Sequence, residues 1–317
     1  MHHQLISIVI SAFNEEGNVT KLYQELVKVA NKEKHTDFEF LFVDDGSSDN
    51  TYTKCLQLQK KDKRVRVVQL VRNFGHEIAM TAGMDAARGD AVIFMDCDLQ
   101  HPPKYIPEML RLWRKGHKIV LTKRVDNKGT SRTYKACASL FYSLLNRISD
   151  IKIRRNEPDF RLIDRKYIDL LKQFNERDRL FRGFLSWIHP KEDIATIAFT
   201  APARYSGKTK YSLMKSLSLA LSGILQFSVL PLRLATCFGL LAAICAGVLG
   251  LYTLIEYFAA GKHTPGYASI MLVVIFLGAI QLVCLGIIGE YIGKIHMEVK
   301  KRPLYFVNTP DEEKEKK

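Results

Sequence analysis

Three acidic clusters follow short apolar, β-branched runs. Glu15 and Glu16 come after residues 5–11, Asp44 and Asp45 after 38–43, and Asp96 and Asp98 after 91–95. Side chains alternate along an extended segment, so two carboxylates in D-x-D spacing point the same way. Placed like that, they can hold a hard divalent ion that shares its other positions with phosphate oxygens. Each cluster by itself also reads as a solvated turn, and Asp45-Gly46-Ser47-Ser48-Asp49 is good turn and helix N-cap chemistry. Taken jointly, the three are harder to dismiss. The chain has neither a G-x-x-x-x-G-K-[ST] loop nor a G-x-G-x-x-G fingerprint, which weakens ATPase and dinucleotide readings. Another way of holding a nucleoside diphosphate is implied, with a metal and basic side chains on the phosphates and acids reading base and ribose.

The elements that must position these acids are legible in the same stretch. Strand-like runs at 5–11, 38–43, 65–70 and 91–95 alternate with helical patterns: Val19, Leu22, Leu26 and Val29, then residues 50–60, then 77–87. Strand–helix alternation with continuous apolar strands predicts a parallel sheet covered on both faces. Ligands bind such sheets outside the carboxyl ends of the strands, so the three clusters converge on one rim.

The chain has 317 residues, a charged fraction of 25% and 10% aromatics, which excludes overall disorder. Its six cysteines, with no C-x-x-C spacing, exclude a disulfide scaffold and argue against structural zinc. A formal charge of +14 asks for a polyanionic partner: nucleic acid, anionic lipid or a phosphorylated substrate. The mean hydropathy of −0.07 conceals two apolar stretches, 228–260 and 268–291, each long enough to cross a bilayer. The run at 5–11 is too short for a cleavable signal. Lys208, Lys210, Lys215 and Arg233 precede the pair and Lys294, Lys300, Lys301 and Arg302 follow it, while the connecting loop carries only Lys262. The positive-inside rule therefore predicts a cytoplasmic N-terminal part with both termini on that side. Residues 210–227 read as an amphipathic helix in the headgroup region, and the end from Pro310 as a solvated tail. The expected organisation is a catalytic domain at 1–209, the amphipathic helix at 210–227, a transmembrane hairpin at 228–293 and a cytoplasmic tail at 294–317.

The segments SAFNEE, VDDGSSDNT, VRNFGHEIAMTAGMDAARGD, MDCDLQHPP, PDFRLIDR, LFRGFLSWI and RYSGKTKYS, with PLRLA opening the first span, resemble the family-2 inverting glycosyltransferases. Within that family the likeness is to the polyprenyl-phosphate (bactoprenol) glucosyltransferases and the dolichyl-phosphate mannose synthases. The resemblance implies a GT-A fold, a Rossmann-like mostly parallel sheet with helices on both faces, followed by the amphipathic helix and two transmembrane helices. It implies nucleoside contacts at Ser11, Phe13 and Glu15, base contacts at Val43 and Asp45, and a Mg²⁺ or Mn²⁺ pair at Asp96 and Asp98, with Asp98 the more direct ligand and Cys97 contributing backbone. Arg124 falls near a phosphate contact, Arg204 and Lys210 would neutralise the donor diphosphate, and Asp159 matches the family's catalytic base. The implied partners are a UDP-sugar, polyprenyl phosphate, the bilayer, further copies of the chain (a tetramer) and a separate flippase, with no nucleic acid.

The chain departs from the family pattern at Ser11, where many members have Pro, at Pro158, where close relatives have Gly, and at His189, where Gly is common. Those departures bear on the acceptor pocket and on sugar identity. A lipid phosphate is mostly dianionic at neutral pH, its second pKa being about 6 by analogy with phosphorylated side chains. Asp159 is therefore expected to orient, or to hold a basic partner such as Arg161, more than to deprotonate. His76 and His101 lie near the site and are assigned no metal role. The leading expectation is glucose transfer from UDP-glucose to undecaprenyl phosphate. The alternatives are UDP-GlcNAc, UDP-galactose, GDP-mannose or an aminoarabinose-type donor, and, in another class, a non-catalytic membrane scaffold. A processive synthase is disfavoured because no Q-x-x-R-W motif occurs, and a transporter because the spans lack internal acids.

Overall fold

In a computed structural model of the protein the described residues are 4–125, 157–174, 176–177, 179, 181–188, 193–200, 228–260 and 266–308. They fall into two compact units, one built on a sheet and joined by residues 302–308, the other on two long helices.

The sheet unit opens with β1 (Gln4–Ala12), α1 (Val19–Ala30), β2 (Thr36–Asp44), α2 (Thr51–Lys61), β3 (Val65–Gln69), α3 (His76–Ala86) and β4 (Ala91–Asp96). The sequence pattern predicts all of these except small shifts at their ends. Then come α4 (Ile106–Arg114), β5 (Ile119–Arg124), β6 (Arg161–Asp164), α5 (Arg165–Lys172), α6 (Phe181–Ile188) and β7 (Ile194–Phe199). The strand order is β3-β2-β1-β4-β6-β5-β7. Every neighbouring pair is parallel except those made by β6, which runs antiparallel to β4 and β5. The chain works outward from β1 to β3 and then returns to the other side of β1 as β4. That reversal is the switch point at which open α/β sheets leave a crevice.

Both faces of the sheet are covered, which is why the strands are apolar throughout rather than alternating. Ile6, Ile8 and Ile10 belong to a core with Val19, Leu22 and Leu26 of α1 and Ile106, Met109 and Leu110 of α4. The intervening residues of β1 face α3 one turn after another. Ser7 Oγ accepts from the Gly89 amide at 2.8 Å, just beyond the helix, and Ser11 Oγ lies 3.1 Å from Nδ1 of His76 at its first residue. Between them, a Cβ on Gly83 would sit 2.2 Å from the Val9 side chain and 3.0 Å from Val43. Glycine there lets α3 press flat on the sheet, and this fixes where the helix begins over the rim.

The second unit is an antiparallel hairpin of α7 (Leu230–Ala260) and α8 (Tyr267–Val299). Stretches of 23 and 27 residues within them are long and apolar enough to cross a membrane, about 35 and 40 Å at 1.5 Å per residue. Tyr291 Oη donates to the Ser228 carbonyl at 2.6 Å, and Leu240, Phe276 and Leu282 stand exposed. A continuous apolar surface of that extent suits hydrocarbon better than water.

The helix α8 runs past the expected hairpin end at 293, and the chain after it does not trail away. Leu70 forms an antiparallel bridge with Val307, the Val71 amide donates to Phe306 O at 3.1 Å, and the Asn308 amide donates to Gln69 O at 2.7 Å. Tyr305 Oη adds a 2.9 Å bond to Asp85 on α3. Residues 304–308 thus strap the outer edge of β3. The amphipathic segment 210–227 lies outside the described residues.

Candidate active site

The rim is set by strand register. On β1, Ser11 is paired with Val43 of β2 on one side and Asp96 of β4 on the other. Because β6 is antiparallel, with Arg161 opposite Phe94, its start lies at the rim where β4 ends. Continuing that pairing sets Asp159 across from Asp96. Cys97 points the other way into the core, so Asp96, Asp159 and Ser11 share the face of the sheet on which α3 lies.

On the β1/β2 side Asp45 and Asp49 take backbone amides. The loops after the two strands are stitched together: the Asn14 amide donates to Ser47 Oγ at 3.0 Å, the Ser48 amide to Asn14 Oδ1 at 2.9 Å, the Glu15 amide to Thr51 Oγ1 at 2.8 Å and the Glu16 amide to Asp49 Oδ2 at 3.2 Å. Asp45, buried, takes the Phe74 and Gly75 amides on its two oxygens at 2.8 and 2.9 Å. Burial pushes its pKa up, against the pull of those two amides. Gly46 follows with φ +65°, and a Cβ there would lie 2.4 Å from the Arg72 carbonyl carbon. Only glycine lets the 44–47 and 72–75 loops touch in this way.

On the β4/β6 side the acids are held by side chains. His76 stands between them: its Nδ1 is 3.5 Å from Asp96 Oδ1, and its Nε2 is 3.5 Å from Asp159 Oδ2. Ser11 Oγ also donates to Asp96 Oδ1 at 3.1 Å. The other oxygen of Asp159 is paired with buried Arg161. Burial alone would lower the His76 pKa, but Asp96, Asp159 and Glu77 outweigh it and raise it to about 10. Glu77 is pushed up to about 7, first by burial and then by Asp159, although it accepts the Phe181 amide of α6 at 3.2 Å. His101 plays another part. Its Nδ1 accepts the Asp96 amide at 2.9 Å while its ring stacks on Phe160 at 5.3 Å. That nitrogen carries a lone pair, so its 3.8 Å approach to the Asp96 carboxylate is no ion pair.

Of the residues singled out in sequence, Ser11, Asp96 and Asp159 are brought together through His76. Asp98, buried, follows Asp96 and accepts the Gln100 amide at 3.0 Å, in a turn where Leu99 takes φ +63°. Phe13 and Glu15 lie in the first stitched loop, and Val43 has its side chain wholly in the core. Arg124 ends β5 at the same rim, and its buried Nε makes no hydrogen bond among the described residues. Arg204 and Lys210 lie outside the described residues. His76 was not given a role by sequence reasoning. The available signal was its place as the first residue of a helix whose pattern follows an N-F-G turn.

A mostly parallel sheet with a D-x-D pair beside its switch point is the frame of a nucleotide-sugar transferase. The chain belongs to glycosyl transferase family 2, whose pattern matches residues 7–171, and residues 230–295 match the GtrB C-terminal hairpin. The protein is therefore a glycosyltransferase. It is 39% identical to the uncharacterized glycosyltransferase sll0501 of Synechocystis over 96% of this chain and 94% of that one. It is 38% identical to the bactoprenol glucosyl transferase of Shigella phage SfII over 95% and 97% of the two chains. Among solved structures it is similar to glucosyl-3-phosphoglycerate synthase from Mycobacterium tuberculosis in complex with Mn²⁺, UDP and glucosyl-3-phosphoglycerate, at 20% identity and a TM-score of 0.45, covering 70% of this chain and 78% of that one.

Proposed function

We propose that the protein transfers glucose from UDP-glucose onto undecaprenyl phosphate at the cytoplasmic face of a membrane that α7 and α8 cross. The observation that carries this reading is the reach of the similarity. It runs through both the transferase part and the hairpin, at 38% identity to a bactoprenol glucosyl transferase over 95% of the chain. The orientation follows from the lysines and arginines that flank the hairpin and are nearly missing from its loop. A tetramer and a separate flippase belong to the same reading.

In the reaction a phosphate oxygen of the lipid attacks the anomeric carbon from the face opposite the departing UDP. One C–O bond forms as the other breaks, the configuration inverts, and UDP carries away the negative charge. The lipid phosphate, mostly dianionic at neutral pH, needs no deprotonation. Asp159 has one oxygen on Arg161 and the other facing His76, an arrangement suited to orienting the acceptor side rather than taking up a proton. Arg124, at the rim end of β5, Arg204 and Lys210 would share the diphosphate.

Asp96 and Asp98 offer carboxylate oxygens only. Burial pushes the thiol of Cys97 well up, keeping it protonated and out of metal chemistry. Such a donor set fits Mg²⁺ or Mn²⁺. Among the described residues no group of three or more His, Cys, Asp or Glu could enclose an ion, so the remaining positions would fall to diphosphate and water. Bound there, the ion would offset charge on the departing diphosphate.

The test is a donor panel with purified protein in detergent, undecaprenyl phosphate and Mg²⁺ or Mn²⁺, with lipid-linked product read by mass spectrometry. UDP-glucose is expected to give product that is lost with EDTA and in Asp98→Asn. Product from UDP-GlcNAc, UDP-galactose, GDP-mannose or an aminoarabinose donor instead would reassign the sugar. Failure to bind any nucleotide would sink the reading.

A further inference from the structure

Asp96 ends β4 and Asp159 lies two residues before β6, just beyond the last pair of that antiparallel ladder, Phe94 with Arg161. Two carboxylates facing one imidazole repel each other, and an incoming diphosphate adds further negative charge. Nothing in the β4/β6 backbone fixes their separation at the very end of the ladder, because the pairing stops at Phe94 and Arg161. The imidazole of His76 reaches both, lying 3.5 Å from each carboxylate through different ring nitrogens.

We propose that His76 is a positioning residue of the transfer reaction, a rigid brace that sets the gap between the Asp96 and Asp159 carboxylates and so between the donor diphosphate and the acceptor.

The surroundings of the ring match this role. It is held from below by Ser11 Oγ, at 3.1 Å from Nδ1. Its backbone starts α3, which the contact of Gly83 with Val9 and Val43 presses onto the sheet. Arg161 holds the remaining oxygen of Asp159, so that acid is gripped from two sides and cannot pivot. The imidazole is planar and of fixed length, which a flexible lysine or a short serine is not. A side chain that is about a third exposed at the rim is placed for this, not for filling the core.

This inference rests on the proposed transfer reaction, and the experiment separates the two. Asparagine places an amide where Nδ1 stands and glutamine places one where Nε2 stands, so each keeps one end of the brace and drops the other. His76→Asn and His76→Gln are purified with the wild type and assayed with UDP-glucose and undecaprenyl phosphate. UDP affinity and Tm are measured alongside. The brace predicts that kcat falls in both variants, on the order of 10²-fold as for a reacting group displaced by about 1 Å, with UDP affinity and Tm near wild type. Either variant retaining wild-type kcat would overturn it, since one contact would then suffice. Losses that track a lowered Tm would overturn it equally, by making the role purely structural. A wild type that turns over no donor at all would sink the transfer reading and the brace together.

Discussion

The two halves of the rim treat their acids differently. Beside β1 and β2, Asp45 and Asp49 are bound by backbone amides, and the loops that carry them are sewn to each other. Beside β4 and β6, Asp96 and Asp159 are bound by Ser11, His76 and Arg161. Amide donors are fixed by the fold, so the first half is a mould whose shape precedes any ligand. Side-chain donors are fixed only by the packing around them, so the second half owes its shape to the start of α3 and to Arg161. The first half can be disturbed only by altering backbone, whereas the second can be altered one side chain at a time.

The sharpest way to break this contrast is to neutralise the acids of the reacting half one at a time. Asp98→Asn is expected to lower turnover by at least 10²-fold, the scale of a lost electrostatic partner to a developing charge. Asp159→Asn is expected to cost about tenfold, short of the 10²–10⁴ of a lost general base, and the loss should stay level across pH 6–8. A loss in Asp159→Asn that grows toward low pH would make that residue a proton acceptor instead. In the moulded half, Asp45→Asn turns an amide toward one of two backbone N–H donors. It should cost about 1.5–3 kcal/mol of stability, seen as a lower Tm, and raise the KM for the nucleotide sugar while leaving kcat close to wild type.

A further effect, read as a slope in pH, concerns Glu77, which lies where α3 meets α6. Its folded pKa of about 7 stands above the ordinary 4.5, so between those values the native state binds more protons than the unfolded one. Stability from this group is therefore present below pH 4.5 and lost as pH rises through 7. Glu77→Gln should flatten the fall in Tm between pH 5 and pH 8. An unchanged slope would mean that the carboxylate is not held in this way.

The moulded half was the more legible in sequence. Three of the first four strands, β1, β2 and β4, are largely apolar runs with acids at their ends, and that pattern predicts both the parallel pairing and the convergence on one rim. The spans were equally plain, because hydrocarbon demands long uncharged stretches. The reacting half was not derivable from periodicity. β6 has only four residues, Arg161–Asp164, too few to show a period, yet its reversed direction is what delivers Asp159. That residue was reached by resemblance alone. His76 was visible as a residue type, but its reach to two carboxylates depends on the start of α3 and on the Gly83 contact, neither of which a single sequence displays. The strap at 304–308 read as part of a tail because its partner strand lies more than two hundred residues earlier.

That strap has a bearing on how the protein is made. Asn308 pairs with Gln69 across 239 residues of chain, and everything between them, both apolar helices included, leaves the ribosome first. At 5–20 residues per second the interval is roughly 10–50 s. During that time the β3 edge stands unpaired, the kind of edge that invites association with other chains. Residues 304–308 therefore close a sheet edge laid down long before them, and a polypeptide interrupted at the hairpin is left with an open edge that chaperones and proteases can recognise as unfinished.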